Sequence, residues 1–310
     1  MKRILVTGGA GYIGSILVDH LLRAGHKVRV LDNLMFGQTC HIPFFFNKNY
    51  EFIRGDVRNK KDVEAALKDT DAIIHLAAIV GAPACRAYPK LSREIILKGS
   101  QNINRLRSKS QPLIFASTGS VYGVLKDICD EKSPVNPVSL YGKLKKQAED
   151  EIMGKENSVA LRFATAFGVS PRLRYDSLMV NSFVFHACQD KQLMVYEGFV
   201  RRTFIHIQDI ARSFIFALDN IKKTKDEIYN VGSEKMNYTK KDIALKIKEK
   251  IPFYLHFAEI GTDEDKRDYE VSYQKIRNAG FETTVSLEEG IDELIKAFQN
   301  FPVKSSLMLE

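Results

Sequence analysis

Tyr141 and Lys145 are the two side chains of this sequence whose types and spacing are best suited to moving a proton. The segment that follows Tyr141 has the pattern of a helix, and residues four apart in a helix share one face. A free phenol has a pKa of about 10, and a neighbouring ammonium lowers that pKa because it favours the phenolate. Thr118, beyond the end of a predicted strand, adds a hydroxyl that could hydrogen-bond the same reacting oxygen. The three residues predict a base that removes a proton from a substrate alcohol.

The same spacing has a plainer explanation, because a tyrosine often packs beside a solvated lysine without any catalytic role. The setting of the pair favours catalysis. The pair follows a glycine-rich segment near the N-terminus and a Ser-Thr strand end at residues 117–118, at the intervals of an alternating α/β sheet.

The glycine-rich segment predicts a phosphate-binding turn. Its parts, in order, are a strand at residues 3–7, the glycines Gly8, Gly11 and Gly14, a helix at 12–24, and a strand at 28–31 that ends on Asp32. In a βαβ unit of this kind the first glycine allows the tight turn and the second admits a pyrophosphate to the backbone, while the third lets helix and strand pack closely. The pyrophosphate then lies at the helix N-terminus, where unpaired N–H groups favour an anion.

Asp32 favours NAD over NADP as the cofactor. Its carboxylate can accept hydrogen bonds from the adenosine ribose, and its charge would repel a 2′-phosphate. No arginine directly follows it in LDNLMFG. With the later strand ends, the predicted cofactor-binding residues are Gly8, Gly11, Tyr12, Ile13, Gly14, Asp32, Asn33, Asp56, Val57, Leu76, Ala77, Ala78, Ser117, Tyr141 and Lys145.

The first half of the chain predicts a doubly wound parallel sheet, the Rossmann α/β fold. Further strands at 51–54, 72–76, 112–116 and 159–163 alternate with helices at 61–69, 91 to about 109, and from 141 onward. Strands in such an alternation pair in parallel and bind ligands at their carboxyl ends. We expect an NAD-binding domain at 1–165 that also receives about 203–232. A smaller, partly interleaved α/β substrate lobe would comprise 166–202 and 233–310.

Composition excludes several classes of protein. A hydrophobic content of 45% and a charged content of 27% are typical of a soluble globular protein, and no apolar run reaches the roughly 20 residues that a membrane helix needs. No signal peptide is expected, and the four separated cysteines indicate reduced thiols in the cytoplasm rather than disulfides or a metal site. The net charge of +8 admits an anionic partner. No nucleic-acid-binding motif occurs, so a phosphorylated small molecule is the simpler expectation.

Several other residues have a structural and a functional interpretation. His75 and His206 fall in apolar strand patterns and are interpreted as core histidines, and Cys85 as a packed thiol. The phenylalanines at 44–46 are expected to pack around their loop. The loop at 80–89 contains two prolines and has no periodicity, which makes it a candidate binding loop.

Five motifs occur in the order found in the extended short-chain dehydrogenase/reductases: TGGAGYIG (7–14), HLAA (75–78), STGSVYG (117–123), YGKLK (141–145) and RTFIHIQDIA (202–211). Over essentially its whole length the sequence resembles the nucleotide-sugar epimerases and dehydratases of that family. The resemblance implies bound NAD, with Tyr141 as base, Lys145 on the nicotinamide ribose and Thr118 as hydroxyl partner. It also implies diphosphate contacts from three residues, Asn181, Arg202 and Arg267. The expected substrate-binding residues are Val80, Pro83, Thr118, Ser120, Tyr141, Thr165, Asn181, Arg202 and Arg267.

Two departures from the family pattern bear on the reaction. Gly119 and Ser120 stand where dehydratases of the family have an Asp-Glu pair after Thr118, so the acid and base for 4,6-dehydration are missing. Ile96 stands where an Asn that could make a local hydrogen bond is usual.

Finer motifs, DNLMFGQ, VGAPACRAYPKL, SPRLRYDSLMVN and GTDEDKRDYEVS, resemble a branch that oxidises C4 of GDP-linked heptoses in bacterial surface-polysaccharide synthesis. We predict an NAD-dependent oxidoreductase acting at C4 of a GDP- or UDP-linked sugar, either a 4-epimerase or a 4-dehydrogenase. The alternatives are a 4,6-dehydratase and a non-catalytic NAD-sensing module, and the Tyr/Lys pair argues against the second. By analogy, the helices at 91–109 and 141–153 are expected to form a four-helix homodimer interface.

Overall fold

The computed structural model describes residues 1–124, 128–259 and 270–301. Its strands are β1 (Arg3–Thr7), β2 (Lys27–Asp32), β3 (Tyr50–Arg54), β4 (Ala72–His75), β5 (Leu113–Thr118), β6 (Ser158–Phe163), β7 (Thr165–Phe167), β8 (Gln192–Tyr196), β9 (Arg201–His206), β10 (Glu227–Val231), β11 (Asn237–Thr239) and β12 (Tyr254–Ala258). Its α-helices are α1 (Tyr12–Arg23), α2 (Lys60–Leu67), α3 (Ala82–Ala87), α4 (Pro89–Arg93), α5 (Gly99–Leu106), α6 (Leu140–Met153), α7 (Met179–Gln189), α8 (Ile207–Asp219), α9 (Ile221–Thr224), α10 (Lys240–Lys250), α11 (Gln274–Ala279) and α12 (Leu287–Asn300). Within these ranges no helix is long and apolar enough to cross a membrane.

Seven strands form one fully parallel sheet in the order β10-β6-β5-β4-β1-β2-β3. Parallel neighbours need a crossover connection, which the intervening helices and long loops provide. The sheet confirms the predicted Rossmann α/β fold.

Helices cover both faces of this sheet. Ile4 and Val6 of β1 pack on the side of α1 and α8, whereas Leu5 between them packs on the side of α2, α5 and α6. Successive side chains of a strand point to opposite faces, so a strand covered on both sides must be apolar throughout. This accounts for the continuous apolar runs of the sequence.

The strand order reverses beside β1, which has β2 on one side and β4 on the other. In an open α/β sheet the crevice outside the strand ends at such a point is where ligands bind. The glycine turn after β1 and the Ala77-Ala78 segment after β4 lie at this crevice.

A second packing unit follows β6. It contains a three-stranded sheet, in the order β11-β9-β7, and the parallel pair β12-β8. Its apolar core includes Phe167, Phe204 and residues of α7, α10 and α12. β10 leaves this unit and pairs with β6 at the edge of the main sheet.

The helix predicted from residue 91 to about 109 is shorter and interrupted. A π-helical turn at Glu94–Lys98 joins α4 to α5, which ends at Leu106. The Ser100 hydroxyl donates to the Ile96 carbonyl oxygen at 2.6 Å, and a side chain that takes part in the backbone ladder loosens it locally. A π-helical turn of this kind cannot be predicted from hydrophobic periodicity.

Candidate active site

The turn between β1 and α1 has the geometry of a dinucleotide phosphate site. Gly8 has a φ of +67°, and a Cβ at this position would lie 2.7 Å from the backbone of Ala77, so a side chain is excluded. A Cβ on Gly14 would lie 2.4 Å from the carbonyl oxygen of Gly9. The first turn of α1 carries no acidic residue, and its N–H groups and dipole favour an anion. These residues fit the pyrophosphate of NAD.

The close approach between this turn and β2 occurs at Gly9 rather than at Gly14. A Cβ on Gly9 would lie 2.8 Å from Cγ1 of Val30 in β2. Gly14 instead faces the turn, because α1 begins at Tyr12 and its first residues fold back over Gly9. The close helix–strand packing predicted for Gly14, the third glycine of the motif, therefore occurs at Gly9 instead.

Asp32 and Asp56 form the end of the pocket where the adenosine is expected. Asp32 Oδ2 accepts the Ala10 N–H at 3.0 Å, and Oδ1 accepts the Leu34 N–H at 2.9 Å. Burial raises the pKa of Asp32, and these two hydrogen bonds oppose that rise. Asn33 Nδ2 donates to Asp56 Oδ2 at 3.0 Å and so joins the ends of β2 and β3.

α6 presents the predicted base to the same pocket. The Ser139 hydroxyl caps the helix by accepting the Gly142 N–H at 3.1 Å, so Tyr141 stands in the first turn. Tyr141 is half-buried, and both it and Lys145 line the pocket. The shared helix face predicted for the pair is consistent with this placement.

Lys145 is buried against the sheet. Its side chain is 3% exposed, and Nζ lies 4.0 Å from the centroid of the Phe115 ring. Burial lowers the pKa of Lys145 to about 7, although the charge of Glu149 opposes the decrease.

A buried ionic network lies directly behind this pair. Arg162 in β6 forms two hydrogen bonds with Glu149 in α6, Nε to Oε2 at 3.0 Å and Nη2 to Oε1 at 2.6 Å. The Ser117 hydroxyl donates to the same carboxylate at 2.6 Å. Arg162 Nη1 also donates to the Tyr122 hydroxyl, which donates to Asn230 in β10. The network fixes α6 to three neighbouring strands.

Thr118 ends β5 at the pocket. Its hydroxyl caps the short 3₁₀ turn that follows, accepting the Ser120 N–H at 3.2 Å and donating to the Ser120 hydroxyl at 3.1 Å. Both side chains line the pocket. Two hydroxyls therefore face the space beside Tyr141.

All the residues predicted to bind NAD line this one pocket, and most of the predicted substrate-binding residues join them. Val80, Thr165 and Arg202 lie in its wall. Pro83 and Asn181 are not among the lining residues, and Arg267 lies outside the described residues.

Asn181 acts within the protein rather than at the pocket surface. It is fully buried, its Oδ1 accepts the Gly168 N–H at 3.0 Å, and its Nδ2 donates to the Gly168 and Arg174 carbonyl oxygens at 3.2 and 2.9 Å. Nδ2 also lies 3.3 Å from the Tyr12 hydroxyl. These contacts leave its amide positioned to shape a loop, not to meet a diphosphate.

That loop, residues 168–178, is fastened to the start of α1. Ser170 Oγ donates to the Tyr12 carbonyl oxygen at 2.9 Å and lies 3.0 Å from Ser15 Oγ. The Tyr12 hydroxyl donates to the Gly168 carbonyl oxygen at 2.6 Å. The loop therefore joins the glycine turn to the second packing unit.

Sequence reasoning missed several polar residues of the pocket. Arg162 lies in a predicted strand, and Arg172 and Arg174 lie in a segment without periodicity. The signal available was the pair of arginines two residues apart in SPRLRYD (170–176), in the loop region that follows the predicted strand at 159–163.

Most of the residues that the sequence analysis interprets as structural are packed in the interior. His75 is buried between the hydroxyls of Thr7 and Ser100, at 2.6 and 3.0 Å, and burial lowers its pKa to about 3. His206 Nε2 lies 2.7 Å from Glu293, and Cys85 is fully buried. Of the phenylalanine run, Phe44 and Phe45 pack on the Tyr50 ring, each with a centroid distance of 5.6 Å, as predicted. Phe46 is 93% exposed, so the predicted packing is wrong for this residue.

The parallel sheet, the glycine turn and a Tyr/Lys pair in one pocket define an NAD-dependent enzyme of the extended short-chain dehydrogenase/reductase type. Residues 4–232 match the model of the "NAD dependent epimerase/dehydratase family". The chain belongs to this family of nucleotide-sugar enzymes, and its cofactor is NAD.

Individual relatives match nearly the whole chain. UDP-glucuronic acid decarboxylase 1 from Xenopus tropicalis is 30% identical over 317 residues, which cover 96% of this chain and 72% of that protein. The structure of UDP-glucuronic acid 4-epimerase from Bacillus cereus with UDP-glucuronic acid and NAD has a TM-score of 0.85 at 26% identity, covering 96% and 98%. The Thermus thermophilus UDP-glucose 4-epimerase with NAD has a TM-score of 0.81 at 27% identity, covering 96% and 99%.

Proposed function

We propose that this enzyme oxidises C4 of a nucleotide-activated sugar, as a 4-epimerase or a 4-dehydrogenase, in the synthesis of a surface-polysaccharide sugar. The observation that supports this is that Tyr141 and Lys145 line the same pocket as the glycine turn. The hydroxyls of Thr118 and Ser120 line it as well. A base, a cation and hydroxyl groups are what oxidation of a secondary alcohol requires.

In this proposal Tyr141 removes the proton from the sugar O4 while the C4–H bond breaks, which leaves a 4-keto sugar. NAD, when bound, supplies the hydride acceptor. The Lys145 ammonium stabilises the phenolate, and the Thr118 hydroxyl hydrogen-bonds O4. A 4-epimerase would turn the ketone over, so that C4 regains its hydride on the opposite face while Tyr141 returns the proton to O4. A 4-dehydrogenase would release the ketone.

The charges of the pocket support a sugar nucleotide. Lys145, Arg162, Arg172, Arg174 and Arg202 line its described part, although the Arg162 guanidinium is paired with Glu149. The two carboxylates that line this part lie at the adenosine end. We assign Arg202 and Arg267 to the diphosphate. The relatives carry names of UDP-sugar enzymes, whereas the finer motifs favour a GDP-linked sugar.

The pocket disfavours 4,6-dehydration. That reaction needs an acid and a base at the sugar, and Gly119 and Ser120 supply neither. No carboxylate lines the described wall around Tyr141.

A substrate panel tests the proposal. The NAD-loaded protein would be incubated with UDP-glucose, UDP-glucuronic acid, GDP-mannose and a GDP-linked heptose, while the absorbance of reduced nicotinamide is followed and products are identified by NMR. A C4 epimer indicates an epimerase, a stable 4-ketone with reduced nicotinamide a dehydrogenase, and a 6-deoxy-4-ketone a dehydratase. Absence of turnover on the whole panel would favour an NAD-sensing module.

Tyr141→Phe is expected to keep the fold and the bound NAD and to lose turnover by about 10²–10⁴-fold, because it removes the proton acceptor. Tyr254→Phe, the same change at a tyrosine of β12 that is 68% exposed and does not line this pocket, serves as the control and should retain activity. Near-normal turnover of Tyr141→Phe would refute the base assignment.

We further propose that 166–202 and 233–310 bind the sugar nucleotide while the sheet binds NAD. We also propose that the enzyme is a cytoplasmic homodimer built on α5 and α6. The four cysteines are free thiols, which fits that location. Light scattering should give twice the chain mass, and a monomer at micromolar concentration would contradict the dimer.

A further inference from the structure

Two arginines without a predicted role, Arg172 and Arg174, lie on the loop at 168–178 and line the pocket. They face different parts of it. The Arg172 guanidinium lies 6.0 Å from the Phe36 ring, in the segment that follows β2 at the cofactor end. Arg174 lines the pocket together with Tyr12 and Tyr141. Its carbonyl oxygen accepts Asn181 Nδ2, which also lies 3.3 Å from the Tyr12 hydroxyl, so this part of the loop lies beside the first turn of α1.

The backbone on either side of Arg174 is fixed. Its carbonyl oxygen accepts Asn181 Nδ2 at 2.9 Å. The next residue, Tyr175, stacks on the Phe185 ring of α7 with centroids 3.7 Å apart and planes 6° from parallel. A guanidinium held in place before a ligand arrives loses little entropy on binding it.

The guanidinium itself is incompletely satisfied by the described residues. One terminal nitrogen donates to the Ser177 hydroxyl, whereas Nε is buried and has no hydrogen-bond partner among them. The Asp176 carboxylate lies 3.9 Å from Nε, beyond hydrogen-bond distance. Burial lowers the pKa of Arg174, but an arginine remains charged at neutral pH. A buried N–H of a charged guanidinium that lacks a hydrogen-bond partner, such as Arg174 Nε, favours an anionic acceptor.

We propose that Arg174 binds an anionic oxygen of the sugar nucleotide in the pocket that it lines together with Tyr141, and so determines which sugars the enzyme accepts. This inference rests on the proposed function. Two parts of a sugar nucleotide can supply the oxygen, the β-phosphate or a carboxylate on the sugar ring. Arginine suits either of them, because its planar fork matches the geometry of a phosphate or a carboxylate.

Equilibrium binding separates the two sources. Calorimetry would measure the affinity of the NAD-loaded wild type, Arg174→Gln and Arg174→Lys for UDP, UDP-glucose and UDP-glucuronic acid, and for GDP, GDP-mannose and GDP-mannuronic acid. If Arg174 binds the β-phosphate, Arg174→Gln weakens every ligand that the wild type binds, by about 10–100-fold. If it binds a sugar carboxylate, only the uronic acid is weakened to that extent. Arg174→Lys should lose less in either case, because it keeps the charge.

Arg23→Gln is the matched control, since it removes an exposed arginine on α1 that pairs with Asp19 away from the pocket. It should leave every affinity unchanged. Thermal unfolding and the NAD content after gel filtration would be recorded for each variant.

The inference is overturned if Arg174→Gln binds all the ligands as the wild type does, if the wild type binds none, or if the variant loses NAD while sugar-nucleotide affinity stays the same. Binding without turnover by the wild type would contradict the proposed function and leave the role of Arg174 supported.

Discussion

Lys145 is held where burial opposes its charge. Its pKa of about 7 lies well below the ordinary value of 10.5, and each pKa unit corresponds to about 1.4 kcal/mol. The ligand-free protein thus bears a penalty on the order of 5 kcal/mol for keeping a protonated amine at this position. Anionic ligands would relieve that penalty.

Lys145→Met is therefore expected to stabilise the ligand-free protein while abolishing turnover. Below pH 7 the lysine is protonated in both the folded and the unfolded state, so the penalty is complete. Between pH 7 and 10.5 the unfolded state binds more protons, so wild-type stability rises with pH and the advantage of the variant shrinks. Urea unfolding of both proteins from pH 6 to pH 10 measures this difference. A constant difference would show that Lys145 keeps an ordinary pKa.

Individual site residues could be predicted from the sequence where the phosphate-binding turn or the Tyr/Lys pair requires a fixed spacing. Gly8, Asp32, Tyr141 and Lys145 lie where their motifs indicated. Asn181 and Arg174 could not be assigned in this way, because the direction of their side chains depends on how an aperiodic loop crosses the pocket.

At the scale of elements, the buried Glu149–Arg162 ion pair joins α6 to strand β6 of the sheet. The two side chains are at most 3% exposed and lie on α6 and β6. A buried pair of this kind does not guarantee stability, but removing one partner leaves an uncompensated charge. The position of Tyr141 and Lys145 relative to the strand ends depends on that contact.

Glu149→Gln should lower the free energy of unfolding by about 3–5 kcal/mol, because Arg162 loses its counter-charge. Asp150→Asn on the same helix is the control. It breaks an exposed pair with Lys146 and should cost about 0.5 kcal/mol or less. The double variant Glu149→Leu/Arg162→Met should recover part of the loss in urea unfolding. An equal loss in Glu149→Gln and Asp150→Asn would exclude the structural role of the network.

The strands of the main sheet and helices α1, α2 and α6 were predictable to within about two residues, because parallel strands are apolar throughout and helices are periodic. β6 and β1 illustrate this. The π-helical turn at Glu94–Lys98 was not predictable, because hydrophobic periodicity does not show where one residue is inserted into a helix. The return of β10 to the sheet was expected only from a single apolar run.

At the scale of the whole molecule, charge favours the encounter with an anionic substrate. The net charge is +8, and the pocket-lining cations outnumber the carboxylates of its described part. Long-range attraction of this kind raises association rates and is screened by salt.

Raising the ionic strength from about 0.01 M to about 0.1 M shortens the Debye length from about 30 Å to about 10 Å. We expect kcat/KM for the sugar nucleotide to fall several-fold over this range while kcat changes little. Steady-state kinetics in sodium chloride, with sucrose at matched viscosity as the control, provide the measurement. A salt-independent kcat/KM would argue against steering.

The bonds from Ser170 to Tyr12 and Ser15 carry a consequence for the catalytic cycle. They tie the loop that bears Arg174 to the first turn of α1, whose N-terminus would hold the pyrophosphate of NAD. This tie would slow exchange of the dinucleotide, which suits a 4-epimerase that keeps the same NAD from one turnover to the next. A 4-dehydrogenase would instead have to release it in reduced form after each turnover.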